Sequence, residues 1–79
     1  MNKYMKELQE LKSWDTVQFM NFPDNKKGYP FITTAGHGYL VVRKDDMYKE
    51  EARKHATFIG KYAYYLEEDC DCWAFLDTV

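Results

Sequence analysis

The spacing of the apolar residues changes along this chain, and that change limits the folds that it can adopt. From Tyr4 to Leu11 apolar residues recur at helical spacing, whereas from Trp14 onward they alternate with polar ones. The first pattern predicts an amphipathic helix over residues 2–12, and the second predicts a half-buried strand over Trp14–Phe22. The chain therefore has to combine a helix with a sheet.

Turn-forming residues divide the rest of the chain into short segments. The Pro23–Gly28 turn separates the first strand from a second, and we expect the two strands to pair as a hairpin. The further predicted strands are Phe31–Thr34, Tyr39–Arg43, Thr57–Ile59 and Tyr62–Glu67, and the further helices are 47–56 and Asp71–Thr78. This order predicts an α+β fold, a small antiparallel sheet of about five strands with about three short helices packed on one face.

The chain is short, which bounds the size of its core. Its 79 residues correspond to a single domain, in which residues 1–13 form the amphipathic N-terminal helix and residues 14–79 the sheet-plus-helix core. Surface scaling leaves only about 63% of the unfolded chain's surface buried on folding. Such a thin core leaves little room for a deep, enclosed active site.

Charge is distributed unevenly, which bears on the partners of the protein. Residues 1–43 carry six basic and four acidic side chains, whereas residues 44–79 carry five basic and nine acidic ones. The basic doublets are dispersed among acids, which argues against nucleic-acid binding. The chain has no apolar run long enough for a signal peptide or a membrane span, so we expect a cytoplasmic protein without membrane contact.

One histidine stands between two glycines, Gly36 and Gly38, just before a predicted strand. With so few neighbouring side chains, His37 could reach a metal ion, a phosphate or a substrate proton. In the alternative that we favour, the two glycines supply positive φ angles at a tight turn, and the histidine bonds to a nearby backbone group.

An acidic run near the C-terminus also contains both cysteines. It comprises Glu67, Glu68, Asp69, Cys70, Asp71 and Cys72. The carboxylates offer ligands for a hard divalent ion, and the thiolates together with His37 offer ligands for zinc. The simpler interpretation needs no metal or cofactor, because carboxylates at the start of a helix cap its free N–H groups. We expect that role for the acids and a core position for Cys72.

The tyrosines admit two interpretations. Tyr62 and Tyr64 lie on one face of the last predicted strand, and Tyr65 lies on the other. Large side chains could simply fill the thin core, or a solvated face that carries them could form a binding surface. Such a surface would be extended by Tyr29, Tyr39 and Trp73.

Two segments of the sequence resemble a known group. A His-Gly-aromatic-Leu-x-Val strand at His37–Val42, followed after a helix by a Tyr-Leu-Glu-Glu-Asp-Cys-Asp segment at Tyr65–Asp71, is similar to a widespread group of small phage and plasmid proteins. The resemblance spans roughly residues 31–76 and excludes residues 1–30. It implies an origin in a phage or other mobile element. It carries over no catalytic residue, because the group has no assigned activity.

These observations favour a protein-binding or modulatory module over an enzyme. Its aromatic and acidic surface would dock onto a host or phage protein through Tyr62, Tyr64, Tyr65, Glu67, Glu68 and Asp69, with His37 nearby. The competing hypothesis is a metal-dependent hydrolase or nuclease that uses His37 and the Glu67–Cys72 cluster. A homodimer that pairs exposed sheet edges is compatible with either.

Overall fold

The computed structural model of the chain describes residues 2–21, 28–69 and 71–79. Its elements in chain order are α1 (Lys3–Leu11), β1 (Val17–Asn21), β2 (Phe31–Thr34), β3 (Gly38–Arg43), α2 (Lys49–His55), β4 (Phe58–Ile59), β5 (Ala63–Glu67) and α3 (Asp71–Thr78). The strands form one antiparallel sheet in the order β1-β2-β3-β5-β4. The expected α+β fold with five strands and three helices is therefore confirmed.

The first strand is shorter than its sequence pattern predicts. The chain leaves α1 through a turn in which the Asp15 N–H donates to the Lys12 carbonyl oxygen at 3.0 Å. Because this turn occupies residues 12–15, the strand begins only at Val17. The predicted hairpin with β2 is confirmed, and most of the predicted Pro23–Gly28 turn lies outside the described residues.

The helices cover both faces of the sheet, so the expectation that all three pack on one face was wrong. Helices α2 and α3 cover one face, where Leu40, Leu66 and Phe75 form a core. Helix α1 covers the other face, where Leu8 packs against Tyr65 and its neighbours. The central strands are consequently buried on both sides, as the runs of buried residues in β3 and β5 reflect. No helix in the described ranges has the length and apolar character needed to cross a bilayer.

A lysine, Lys12, lies in the core beneath α1, although lysine is almost never fully buried unless it is paired. The Lys12 side chain is 2% exposed, and its ammonium group lies 3.3 Å from Asp15 Oδ2. It also donates a hydrogen bond to the Tyr39 hydroxyl and lies 4.4 Å from the centre of that ring. A buried charge requires such partners, because an isolated one would cost several kcal/mol to desolvate.

A second polar contact joins α1 to the turn between β4 and β5. The Glu7 carboxylate accepts hydrogen bonds from the backbone N–H groups of Lys61 and Tyr62, and from the Tyr65 hydroxyl at 2.7 Å. Gly60 permits this approach, because a Cβ there would overlap the carboxylate. The contact joins residues far apart in sequence, so no local pattern predicted it.

Candidate cation site and adjoining groove

Hydrogen bonds between Thr34 and the His37 backbone close the loop that carries the histidine. The Thr34 N–H donates to the His37 carbonyl oxygen at 2.8 Å, and the His37 N–H donates to Thr34 Oγ1 at 3.0 Å. Thr34 Oγ1 in turn donates to Asp15 Oδ2 at 2.6 Å. The backbone of His37 is thus fixed while its side chain stays 42% exposed.

Strand pairing brings the acidic run to the same edge of the sheet. Tyr39 stands opposite Glu67 in the register of β3 and β5, and the Glu68 N–H donates to the Gly38 carbonyl oxygen at 2.9 Å. The end of β5 is further held by the Glu67 N–H, which donates to Thr57 Oγ1 at 2.9 Å. The start of β3 and the end of β5 therefore present the histidine and the carboxylates side by side.

Three of these side chains form a cluster of potential metal ligands. One ligand atom from each of His37, Glu67 and Asp69 can be chosen so that all three lie within 4.8 Å of one another. His37 Nδ1 is 3.9 Å from Glu67 Oε2. The cluster opens into a pocket of about 240 Å³ that Glu68 and the two flanking glycines also line. A nitrogen and several carboxylate oxygens are a donor set that suits a divalent cation.

The buried lysine supports both sides of this cluster. It pairs with Asp15, which accepts the hydrogen bond from the His37 loop, and it bonds to Tyr39, whose hydroxyl lies 3.4 Å from Glu67 Oε2. The hydrogen bond from Thr34, with help from Lys12, holds the pKa of the Asp15 carboxyl below its usual value. The Lys12 ammonium group thus bonds both to Asp15, which holds the His37 loop, and to Tyr39, which contacts Glu67.

Gly38, which follows His37, serves a purpose other than the one expected. Among the described residues only Gly28 has a positive φ angle, so the expectation of positive φ at Gly36 and Gly38 was wrong. A Cβ on Gly38 would instead come within 2.6 Å of Glu68 Oε2 and equally close to the Phe31 ring. Glycine at this position lets the acidic run and an aromatic side chain approach the same stretch of backbone.

The tyrosines do not contribute to this surface. Tyr64 and Tyr65 are 8% and 0% exposed, because helices cover both faces of β5. Tyr29 and Tyr39 are likewise buried, at 6% and 0% exposure. Tyr62 is 40% exposed but precedes β5, at the opposite end of the strand from Glu67. The expected surface of tyrosines and acids is therefore not continuous.

The cysteines are separated from the cluster as far as the structure describes them. Cys72 is 3% exposed and lies in the core beneath α2 and α3, as expected for a small apolar residue. The predicted role of Cys70 lies outside the described residues. Because Cys72 packs on the opposite side of the sheet end from His37, a zinc site that joins these two residues does not form.

Burial disfavours the thiolate form of Cys72, which is the reactive one. It raises the pKa of Cys72 to about 11, with a smaller contribution from Glu68. In a Cys70→Ser variant we expect iodoacetamide at pH 8 to label Cys72 slowly in the native protein and fast in urea, since the thiolate is the nucleophile. Mass spectrometry of timed samples measures both rates. Rapid, complete labelling of the native protein would contradict the burial.

An apolar groove adjoins the cluster on the α3 side. It has a volume of about 330 Å³ and is lined mainly by Phe31, Leu40, Trp73 and Leu76, with Glu68 at its margin. Trp73 is 58% exposed. The sequence indicated Trp73 only as an extension of a tyrosine surface. The signal that could have identified this groove is a tryptophan within a short predicted helix, which the structure shows to be exposed.

Comparisons with family models, with curated protein sequences and with solved structures gave no match to this chain.

Proposed function

We propose that this protein binds a divalent cation through His37, Glu67 and Asp69, the metal-dependent alternative that the sequence left open. The observation that carries the proposal is the convergence of three potential ligand atoms within 4.8 Å of one another. They come from two chain segments that are brought together by strand pairing and fixed by backbone hydrogen bonds. Glu67 lies in β5, and His37 and Asp69 lie within two residues of the paired strands β3 and β5, which hold ligands more firmly than free loops do.

The donor set indicates what the cation would do. One imidazole and two carboxylates suit zinc, manganese or a similar ion, and the two negative charges balance that of the cation. Three protein ligands would leave coordination positions for water, and a bound metal would supply hydroxide near neutral pH by lowering the pKa of that water. The reaction class that we propose is therefore hydrolysis, in which hydroxide adds to the substrate and the leaving group takes a proton.

The contact between the Glu67 carboxylate and the Tyr39 hydroxyl adds to this proposal. In metal sites, outer groups that bond to a ligand orient it and tune its basicity. The Tyr39 hydroxyl lies 3.4 Å from Glu67 Oε2 and itself accepts a hydrogen bond from Lys12. The oxygen that Tyr39 contacts, Glu67 Oε2, also lies 3.9 Å from His37 Nδ1, so the hydroxyl orients the carboxylate beside the histidine.

Calorimetric titration of tag-free protein with zinc and with manganese tests cation binding. We expect one equivalent to bind, and we expect His37→Ala to weaken binding by more than the roughly 10–100-fold that loss of an outer partner costs. Asp69→Asn should weaken it as well. His55→Ala and Asp45→Asn are matched controls, because these residues lie in α2 and in the loop after β3, away from the cluster.

Hydrolysis is tested separately with the metal-loaded protein. A phosphodiester and a carboxylic ester that release nitrophenolate are suitable probes, and turnover should require the metal and disappear in Asp69→Asn. Absence of any tight equivalent of either metal would refute cation binding. Stoichiometric binding without turnover of either probe would refute the hydrolytic part and leave the cation site standing.

The protein-docking function remains a second candidate because a different part of the surface favours it. Of the acids that the sequence assigned to docking, Glu68 lines a groove that contains an exposed tryptophan, and Glu67 and Asp69 line the adjoining pocket. The tyrosines assigned with them are buried, apart from Tyr62. A docking surface would therefore consist of the acidic run and this groove.

A further inference from the structure

The groove beside α3 adjoins the acidic run and is lined mainly by apolar side chains. It lies between the end of α3 and the β1–β2 part of the sheet, where Asn21, Phe31 and Leu76 form its walls. Helices α2 and α3 pack mainly on β3 and β5. The first two strands on this face are consequently less covered by helix than the rest of the sheet.

Exposed aromatic side chains lie at the groove and on the same face of the neighbouring strand β1. Trp73 is 58% exposed at the margin of the groove, and Phe19 is 50% exposed. Phe19 stands two positions before Asn21 in β1, so both side chains point to the same face of the sheet. Grouped aromatic residues at the surface mark interaction sites more often than scattered ones do.

The charge at the margin has a single sign. Glu68 lines both the groove and the pocket of the His37 cluster, and Glu67 and Asp69 continue the acidic surface on the pocket side. Neither the groove nor the pocket is lined by a lysine or an arginine among the described residues. A ligand that enters the groove therefore meets an acidic margin, which favours a positively charged neighbour.

We propose that the groove binds a protein segment that inserts one large apolar side chain, flanked by lysine or arginine. The apolar side chain would pack between Phe31, Leu76 and the Trp73 ring, and the flanking cation would contact Glu68. The groove, at about 330 Å³, has room for one large side chain, the kind of anchor that typically dominates a peptide interface. The inference is independent of the cation site, whose ligands His37 and Asp69 do not line the groove.

Selection from a random dodecapeptide display library on the tag-free protein tests this proposal. We expect the recovered peptides to share a Leu, Ile, Phe or Trp next to Lys or Arg. One recovered peptide is then synthesised with a fluorescent label, together with one version that has serine at the anchor and one that has glutamate at the basic positions. Both changes should weaken binding measured by fluorescence anisotropy.

Variants of the protein assign the binding to the groove. We expect Trp73→Ala to weaken binding roughly tenfold or more, as loss of a hot-spot aromatic does. Trp14→Ala is the matched control, because Trp14 is 72% exposed outside the groove. Glu68→Gln should weaken binding of the basic peptide and leave the glutamate version unaffected. His37→Ala should leave peptide binding unchanged, which separates this result from that of the cation site.

Three outcomes would overturn the proposal. One is a selection that enriches no common motif, or a motif without basic residues. Another is equal affinity of the wild type and of a Trp73→Ala variant whose circular dichroism is native. The third is a concentration-dependent dimer of the wild type, detected by sedimentation, that the Trp73→Ala variant does not form. The groove would then be occupied by a second copy of this chain.

Discussion

Replacement of Lys12 by methionine is expected to lower the free energy of unfolding by about 3–5 kcal/mol, the cost of breaking a buried ion pair from one side. Methionine preserves the length and much of the apolar stem of the side chain. The Asp15 carboxylate, however, loses its buried counterion, and the Tyr39 hydroxyl loses its donor. A chain of this length has a total stability of about 4–12 kcal/mol, so the variant would be close to unfolding.

Urea denaturation followed by circular dichroism measures this effect. Lys6→Met is the matched control, because Lys6 is an exposed lysine in α1 and its loss should change stability by no more than about 0.5 kcal/mol. If Lys12→Met and Lys6→Met gave equal midpoints, the buried position of Lys12 would be wrong. A folded Lys12→Met protein should also bind the cation less tightly, because both ligand segments lose support.

Replacement of Glu7 by alanine is expected to cost about 2–3 kcal/mol, the range for losing hydrogen bonds to a charged acceptor. Two backbone N–H groups between β4 and β5 lose their acceptor, but these groups can donate to water instead. The Tyr65 hydroxyl is less able to compensate, because the residue is 0% exposed and its remaining partner is the Tyr4 carbonyl oxygen at 3.3 Å. Loss of this contact also frees α1 from the far end of the sheet.

The Glu7→Ala result is compared with Glu10→Ala, an exposed glutamate in the same helix. Thermal or urea unfolding should separate the two variants clearly. A double variant, Glu7→Ala with Tyr65→Phe, should cost less than the sum of its parts, because the two side chains bond to each other. Strict additivity of the two substitutions would refute their hydrogen bond.

The order of the elements followed from the sequence because it depends on local periodicity. Apolar residues at helical spacing from Tyr4 and the alternation through Tyr39–Arg43 each predicted an element that is present. The Pro23–Gly28 turn predicted the hairpin of β1 with β2, which also formed. These features need only the residues of one segment and its neighbour.

The candidate site was predicted in its members but not in its arrangement. His37, Glu67 and Asp69 were recognised by residue type, yet the preferred assignment was a turn histidine and capping carboxylates. Their convergence depends on the register of β3 with β5. This register pairs residues that are far apart in sequence, such as Tyr39 and Glu67, which are separated by 28 positions. No short pattern contains that information.

What the sequence determined by itself is the set of helices and strands and the residue types available for chemistry, because both are local properties. The tertiary structure decided which face each helix covers, and with it the burial of Lys12, Tyr64 and Tyr65. Helix α1 packs on one face of the sheet and α2 with α3 on the other, so tyrosines that alternate along β5 are buried on both sides. The tertiary structure also decided the candidate site, because the pairing of β3 with β5 brings His37 next to Glu67 and Asp69.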